Sequence, residues 1–137
     1  MPRNSETVYG ENDLRLVGCY NRMGSVYYMY GESNLALEYY FRCTQIYKAY
    51  DIENDDRVAV TYNNIGKAYL LQKEFQKALG NFTKSLDALK KNEGDNCPNA
   101  AISYQHMGEL YSMQREDDKS LECFLKSLEI YKTIYRA

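Results

Sequence analysis

Tryptophan is missing from this sequence, proline occurs only twice and histidine only once. The two prolines, Pro2 and Pro98, leave a long intervening stretch free of helix breakers. No apolar run approaches the roughly 20 residues that a membrane-spanning helix needs, and Met1 to Asn12 lacks the apolar core of a secretion signal. A net charge of −2 leaves no electrostatic footprint for nucleic acid or for an anionic membrane. The four cysteines, Cys19, Cys43, Cys97 and Cys123, form no C-x-x-C pair, and His106 is the sole histidine. A structural zinc site needs about four clustered ligands, so no metal and no cofactor is expected. These absences point to a cytoplasmic protein whose cysteines stay reduced and pack as small apolar residues. There is no G-x-x-x-x-G-K motif or other Gly-rich phosphate loop. His106 has only Glu109 one helical turn on, too little for acid–base work. No catalytic residue and no enzymatic activity are expected.

What the sequence does contain suits one folded domain: 137 residues, 45% of them apolar and 26% charged. Fifteen are tyrosine, an apolar body with a polar tip that serves both cores and recognition surfaces.

The chain repeats itself. Gly24, Gly66 and Gly108 are 42 residues apart, and the same offset relates Tyr20, Tyr62 and Tyr104, then Tyr27, Tyr69 and Tyr111. Met23, Ile65 and Met107 follow it, as do Leu37, Leu79 and Leu121, and Tyr40, Phe82 and Phe124. Within the second copy, Val58, Tyr62, Ile65 and Tyr69 recur at helical spacing, and so do Phe75, Leu79, Phe82, Leu86 and Leu89. Gln72-Lys73-Glu74 between them is a polar interruption long enough for a tight helix–helix turn. Each unit is thus a hairpin of two helices of about 15 residues. Asp55 or Asp56 is placed to cap the second unit's first helix, and Asp117 to cap the last helix. Asn96 or Cys97 precedes Pro98, a residue at home in a first helical turn. Asn92-Glu93-Gly94 is the expected stop of the second unit. Glycine in a helix interior costs about 1 kcal/mol relative to alanine. Its recurrence at one register predicts a close approach by a neighbouring helix.

Tyr62-x-x-Ile65-Gly66-x-x-Tyr69, followed by Ala78 and Phe82, resembles the signature of the tetratricopeptide repeat family. Tyr20, Met23, Gly24, Tyr27, Ala36 and Tyr40 repeat it, and so do Tyr104, Met107, Gly108, Tyr111, Ser120 and Phe124. The long unit resembles that of kinesin light chains; the proline that often closes a tetratricopeptide unit is absent. The resemblance implies an all-α fold, a right-handed α-solenoid of three hairpins with about six helices. Its units are residues 11–52, 53–94 and 95–137. Residues 1–10 are expected to be an N-terminal segment, the remnant of a preceding helix.

Repeat stacks curl so that the first helices line a concave face. The family resemblance places Asn21, Arg22, Ser25, Tyr28 and Met29 there in the first unit. Asn63, Asn64, Lys67, Leu70 and Leu71 take those places in the second, and Gln105, His106, Glu109, Ser112 and Met113 in the third. Asn21, Asn63 and Gln105 form a row of primary amides, each with donors and an acceptor, expected to grip the backbone of a peptide. Arg22, Asn64 and His106 would read its side chains. The clamp with which some co-chaperones hold a chaperone's C-terminal carboxylate is matched only at Asn64. Asn21, Ser25, Ile102 and His106 depart from it. An adaptor that binds a protein or linear peptide is therefore expected. The alternative is an assembly module, a homodimer or part of a longer array. Its basis is the apolar surface of the last helix, with Phe124, Leu125, Leu128 and Tyr131 as the contact residues.

Overall fold

In the computed structural model of the protein, residues 13–91 and 96–136 are described, and every regular element among them is helical. A 3-10 turn, Leu14–Leu16, leads into α1 (Val17–Met29) and α2 (Ser33–Ala49). Then come α3 (Asp56–Leu71), α4 (Phe75–Lys90), α5 (Pro98–Met113) and α6 (Asp117–Ile134). The expected remnant helix before residue 11 and the stop at Asn92-Glu93-Gly94 lie outside the described residues.

The helix boundaries have local causes. Asp55 caps α3 by accepting the Arg57 N–H at 2.7 Å. Asp13, one repeat earlier, accepts the Arg15 N–H at 2.8 Å. Hydrogen bonds from the side chain and backbone of Arg15 hold the Asp13 carboxyl down at about 2. Cys97 is the N-cap of α5, with Pro98 in the first turn. Asp117 is not the cap of α6. Glu116 holds that position without a side-chain capping bond, and Asp117 stands in the first turn, where the helix dipole favours its charge.

Each hairpin turns the same way. Gly31, Lys73 and Arg115, one per repeat, have φ of +80°, +61° and +62°. The N–H groups of Glu32, Glu74 and Glu116 then donate to Tyr27 O, Tyr69 O and Tyr111 O, each at 2.9 Å. This is the left-handed helix stop that reverses the chain within three residues.

The helical glycines sit where an aromatic ring crosses them. A β-carbon on Gly24 would lie 2.5 Å from the Tyr40 ring, and one on Gly108 would lie 2.8 Å from the Phe124 ring. One on Gly66 would collide with Phe82 in the same way. Between hairpins, Leu37 and Tyr40 meet Ile65 and Ala68, and Ala78 and Phe82, together with Leu70 of their own hairpin, meet Leu110. Ile65 is buried and Met107 half-buried, as expected from the repeat, but Met23 is exposed because no described hairpin precedes it. At the ends of the hairpins away from their turns, Ile46, Tyr47, Leu86, Leu89 and Ile130 pack with the small residues Ala59, Ala100 and Ala101.

Among the described residues, helix–helix contacts link only neighbouring hairpins. The first helices touch in series, α1 to α3 and α3 to α5, whereas α2, α4 and α6 do not touch one another. The stack therefore curves with α1, α3 and α5 on its inner side.

Candidate peptide-binding face

Three rows of side chains run across the inner helices. Arg22, Asn64 and His106 form one, and Ser25, Lys67 and Glu109 the next. Met29, Leu71 and Met113 form the third. Spacings of three and four within each helix put the rows on one face. Arg22 and Glu109 are exposed and, among the described residues, carry no ion pair. Met29, Leu71 and Met113 are all exposed. The Lys67 ammonium lies 4.8 Å from the centre of the Tyr28 ring, tying the second hairpin to the first. Tyr28 is half-buried, and burial, then the charge of Glu109, raise its phenol above the usual value.

Two expected contact residues are not available. Asn63 is buried, and its side-chain oxygen accepts from Ser103 Oγ at 2.8 Å. Leu70 is buried against Ala78, Phe82 and Leu110. Asn63 faces the next hairpin, and Leu70 lies between the second helix of its own hairpin and the next hairpin rather than in the groove. Asn21 behaves like Asn63: its Oδ1 lies 3.3 Å from Thr61 Oγ1, which is also 3.0 Å from Arg57 O. Gln105 is exposed and accepts from Tyr131 OH at 3.3 Å within its own hairpin. The amide row therefore joins hairpin to hairpin at Asn21 and Asn63. A signal for this lay in the sequence: a hydroxyl residue, Thr61 or Ser103, stands 40 residues after each asparagine.

Ser25 is half-buried, its Oγ 3.2 Å from Tyr40 OH. His106 is half-buried too, its ring stacked on Phe82 with centroids 5.4 Å apart. Its Nδ1 is buried without a hydrogen-bond partner. Burial, then the charge of Lys67, push its pKa down to about 4, so it is neutral near pH 7. A position expected to be polar is in effect an aromatic surface.

A family model described as tetratricopeptide repeat matches residues 57–133, more than half of the chain. The chain belongs to the tetratricopeptide repeat family. No curated protein is matched. Among solved structures the chain is similar to BtubC (BKLC) from P. vanneervenii, with a TM-score of 0.81 and 23% identity. The likeness covers 89% of this chain and 48% of that one, so this chain spans about half the length of that protein. It shows a shared fold. The family match takes in the second and third hairpins, and the glycine and aromatic positions of the first hairpin keep the same register.

The tetratricopeptide stack leaves apolar side chains uncovered on its last helix. Phe124, Leu125 and Leu128 are exposed on α6, as is Leu121. Tyr131 is not part of that surface: it is half-buried at the edge of the core, with its hydroxyl on Gln105 and its ring 6.1 Å from that of Tyr135. No helix among the described residues is long and apolar enough to cross a membrane. No group of three or more His, Cys, Asp or Glu among them is placed to hold a metal ion.

Proposed function

We propose that this tetratricopeptide protein is an adaptor that holds an extended segment of a partner protein along the inner face of α1, α3 and α5. Repeats of this family generally mediate protein–protein interaction. The observation that carries the reading is the row Met29, Leu71 and Met113, three exposed apolar side chains at one register. Beside it stand the charges of Arg22, Lys67 and Glu109. The hairpin stack has no use for an exposed apolar row of this kind, and such rows mark interaction surfaces. Asn64 adds an amide able both to donate and to accept. The polar reading of the partner rests on Arg22, Asn64, Lys67 and Glu109, and the hydrophobic reading on Met29, Leu71, Met113 and the neutral face of His106. The long unit, similar to that of kinesin light chains, supports a scaffolding role. The protein does no chemistry itself. Cys19, Cys43 and Cys123, free thiols among the described residues, support a cytoplasmic location.

The test is a selection from a displayed random-peptide library. It compares the wild type with an Arg22→Ala/Asn64→Ala/Lys67→Ala variant whose helicity is verified by circular dichroism. Peptides sharing a motif should bind the wild type with dissociation constants near micromolar, about 8 kcal/mol, and the variant at least tenfold more weakly. A motif bound equally by both proteins would move the site off this face.

A further inference from the structure

We infer that copies of this protein stack head to tail, the outer face of α6 in one copy receiving α1 of the next. The joint so formed continues the one that already occurs twice inside the chain.

Each internal joint is made by fixed positions. The preceding hairpin supplies Leu37 and Tyr40, or Leu79 and Phe82, and the following hairpin supplies Ile65 and Ala68, or Met107 and Leu110. The 42-residue register puts Leu121 and Phe124 at the first set of positions in the third hairpin, and Met23 and Val26 at the second set in the first hairpin. Exposure changes accordingly. Leu37 is 6% exposed and Leu121 61%; Phe82 is 0% and Phe124 38%; Leu110 is 1% and Val26 51%. Among the described residues, the two uncovered faces are the complementary halves of one interface.

The polar positions agree. At the first internal joint, the Gln72 amide donates to Ser33 Oγ at 3.0 Å and to Asn34 Oδ1 at 2.6 Å. Asp117 and Asp118 occupy the places of Ser33 and Asn34 in the third hairpin, and Tyr30 occupies that of Gln72 in the first. A second copy thus brings a hydroxyl donor to two carboxylates. Gln105 stands in the register of Asn63, and Cys19 in that of Ser103. Leu125 stands in the register of Phe41, whose ring lies 6.4 Å from that of Tyr69; the following copy offers Tyr27 there.

An isologous pair, α6 on α6, would leave Met23 and Val26 in water. Head-to-tail stacking covers both faces, and because its contact is heterologous and repeats the superhelical step of the internal joints, it builds open chains of variable length.

The test uses sedimentation velocity on the full chain and on two variants at exposed positions, Val26→Lys and Leu121→Lys. The wild type should gain mass with concentration without levelling at a dimer. Each variant alone should be monomeric, and an equimolar mixture should give a 1:1 dimer, since each retains the face the other lacks. A wild type that stays monomeric overturns the proposal, as does a Val26→Lys variant that dimerises alone, the mark of an isologous contact. Gln105→Cys gives a second readout that does not depend on the lysine variants folding. Mild oxidation should link it to Cys19 of the next copy and produce a ladder of disulfide-bonded species on a non-reducing gel. A gel of monomers alone tells against the register.

Discussion

Ser103 Oγ donates to Asn63 Oδ1 at 2.8 Å across the joint between the second and third hairpins. Ser85 Oγ lies 3.2 Å from the same Ser103 hydroxyl and donates to Ala59 O at 3.0 Å, so a short buried polar chain runs through the joint. Replacing Asn63 by alanine leaves the Ser103 hydroxyl short of its best acceptor. It should lower stability by about 1–2 kcal/mol. Urea denaturation of Asn63→Ala, Ser103→Ala and the double variant gives the coupling directly. The expected value is about 1 kcal/mol, and additive losses would mean that the bond contributes nothing net.

Two helical glycines should respond to alanine with opposite signs. Gly80 in α4 has nothing within 4 Å of where a β-carbon would stand, so Gly80→Ala should stabilise by about 0.5–1 kcal/mol through backbone entropy. Gly66 faces the buried Phe82 ring, and Gly66→Ala should destabilise by about 1–3 kcal/mol through overpacking. Thermal melts of the pair decide it. A gain at both positions would show that Phe82 yields at little cost.

The hairpin turns allow a simple improvement. Lys73 and Arg115 are exposed and left-handed, a conformation that glycine adopts without strain, as Gly31 does in the first repeat. Lys73→Gly and Arg115→Gly should each stabilise by up to about 1 kcal/mol, and Gly31→Ala should cost a similar amount. Chemical denaturation midpoints that move the other way would place the strain elsewhere.

Acid should weaken the protein through His106. Its folded pKa of about 4 lies below the ordinary 6.5, so the unfolded chain binds this proton more readily than the folded one. The stability it contributes is fully present above pH 6.5 and is lost as pH falls from there towards 4. By linkage the loss is up to about 3 kcal/mol. Asp13 and Asp55 are held below their usual value of 3.8 and act at lower pH. His106→Phe keeps an aromatic ring against Phe82 without titrating, and should flatten the stability curve between pH 6.5 and 4. An unchanged slope would assign the loss to other groups.

The register carried most of the fold in plain view because it repeats roles as well as residue types. Gly24 with Tyr40, Gly66 with Phe82 and Gly108 with Phe124 are the same crossing made three times, and Asp55 and Cys97-Pro98 mark helix starts by their own chemistry. The face of the inner helices was harder to read. A helical period separates a buried side from an open one, whereas a helix in a stack is covered on more than one side. Asn63 and Leu70 lie on the side turned to the next hairpin, and a contact between two polar residues 40 positions apart leaves no trace in an apolar pattern. His106 counts as polar by type, yet its ring lies on Phe82. Asp117 misses the cap by one residue, since the choice rests on the backbone angles of Glu116, to which residue type is a poor guide.

Each asparagine at the joints reaches a hydroxyl in the following unit, and each such hydroxyl serves the unit before it. Excision of residues 53–94 as a block would therefore bring Asn21 opposite Ser103, and Leu37 and Tyr40 opposite Met107 and Leu110, with a seam of the native kind. Duplication of the same block would insert a unit with matching seams on both sides. A whole unit is thus the natural quantum of length for this chain, since its loss or gain keeps every joint position in register.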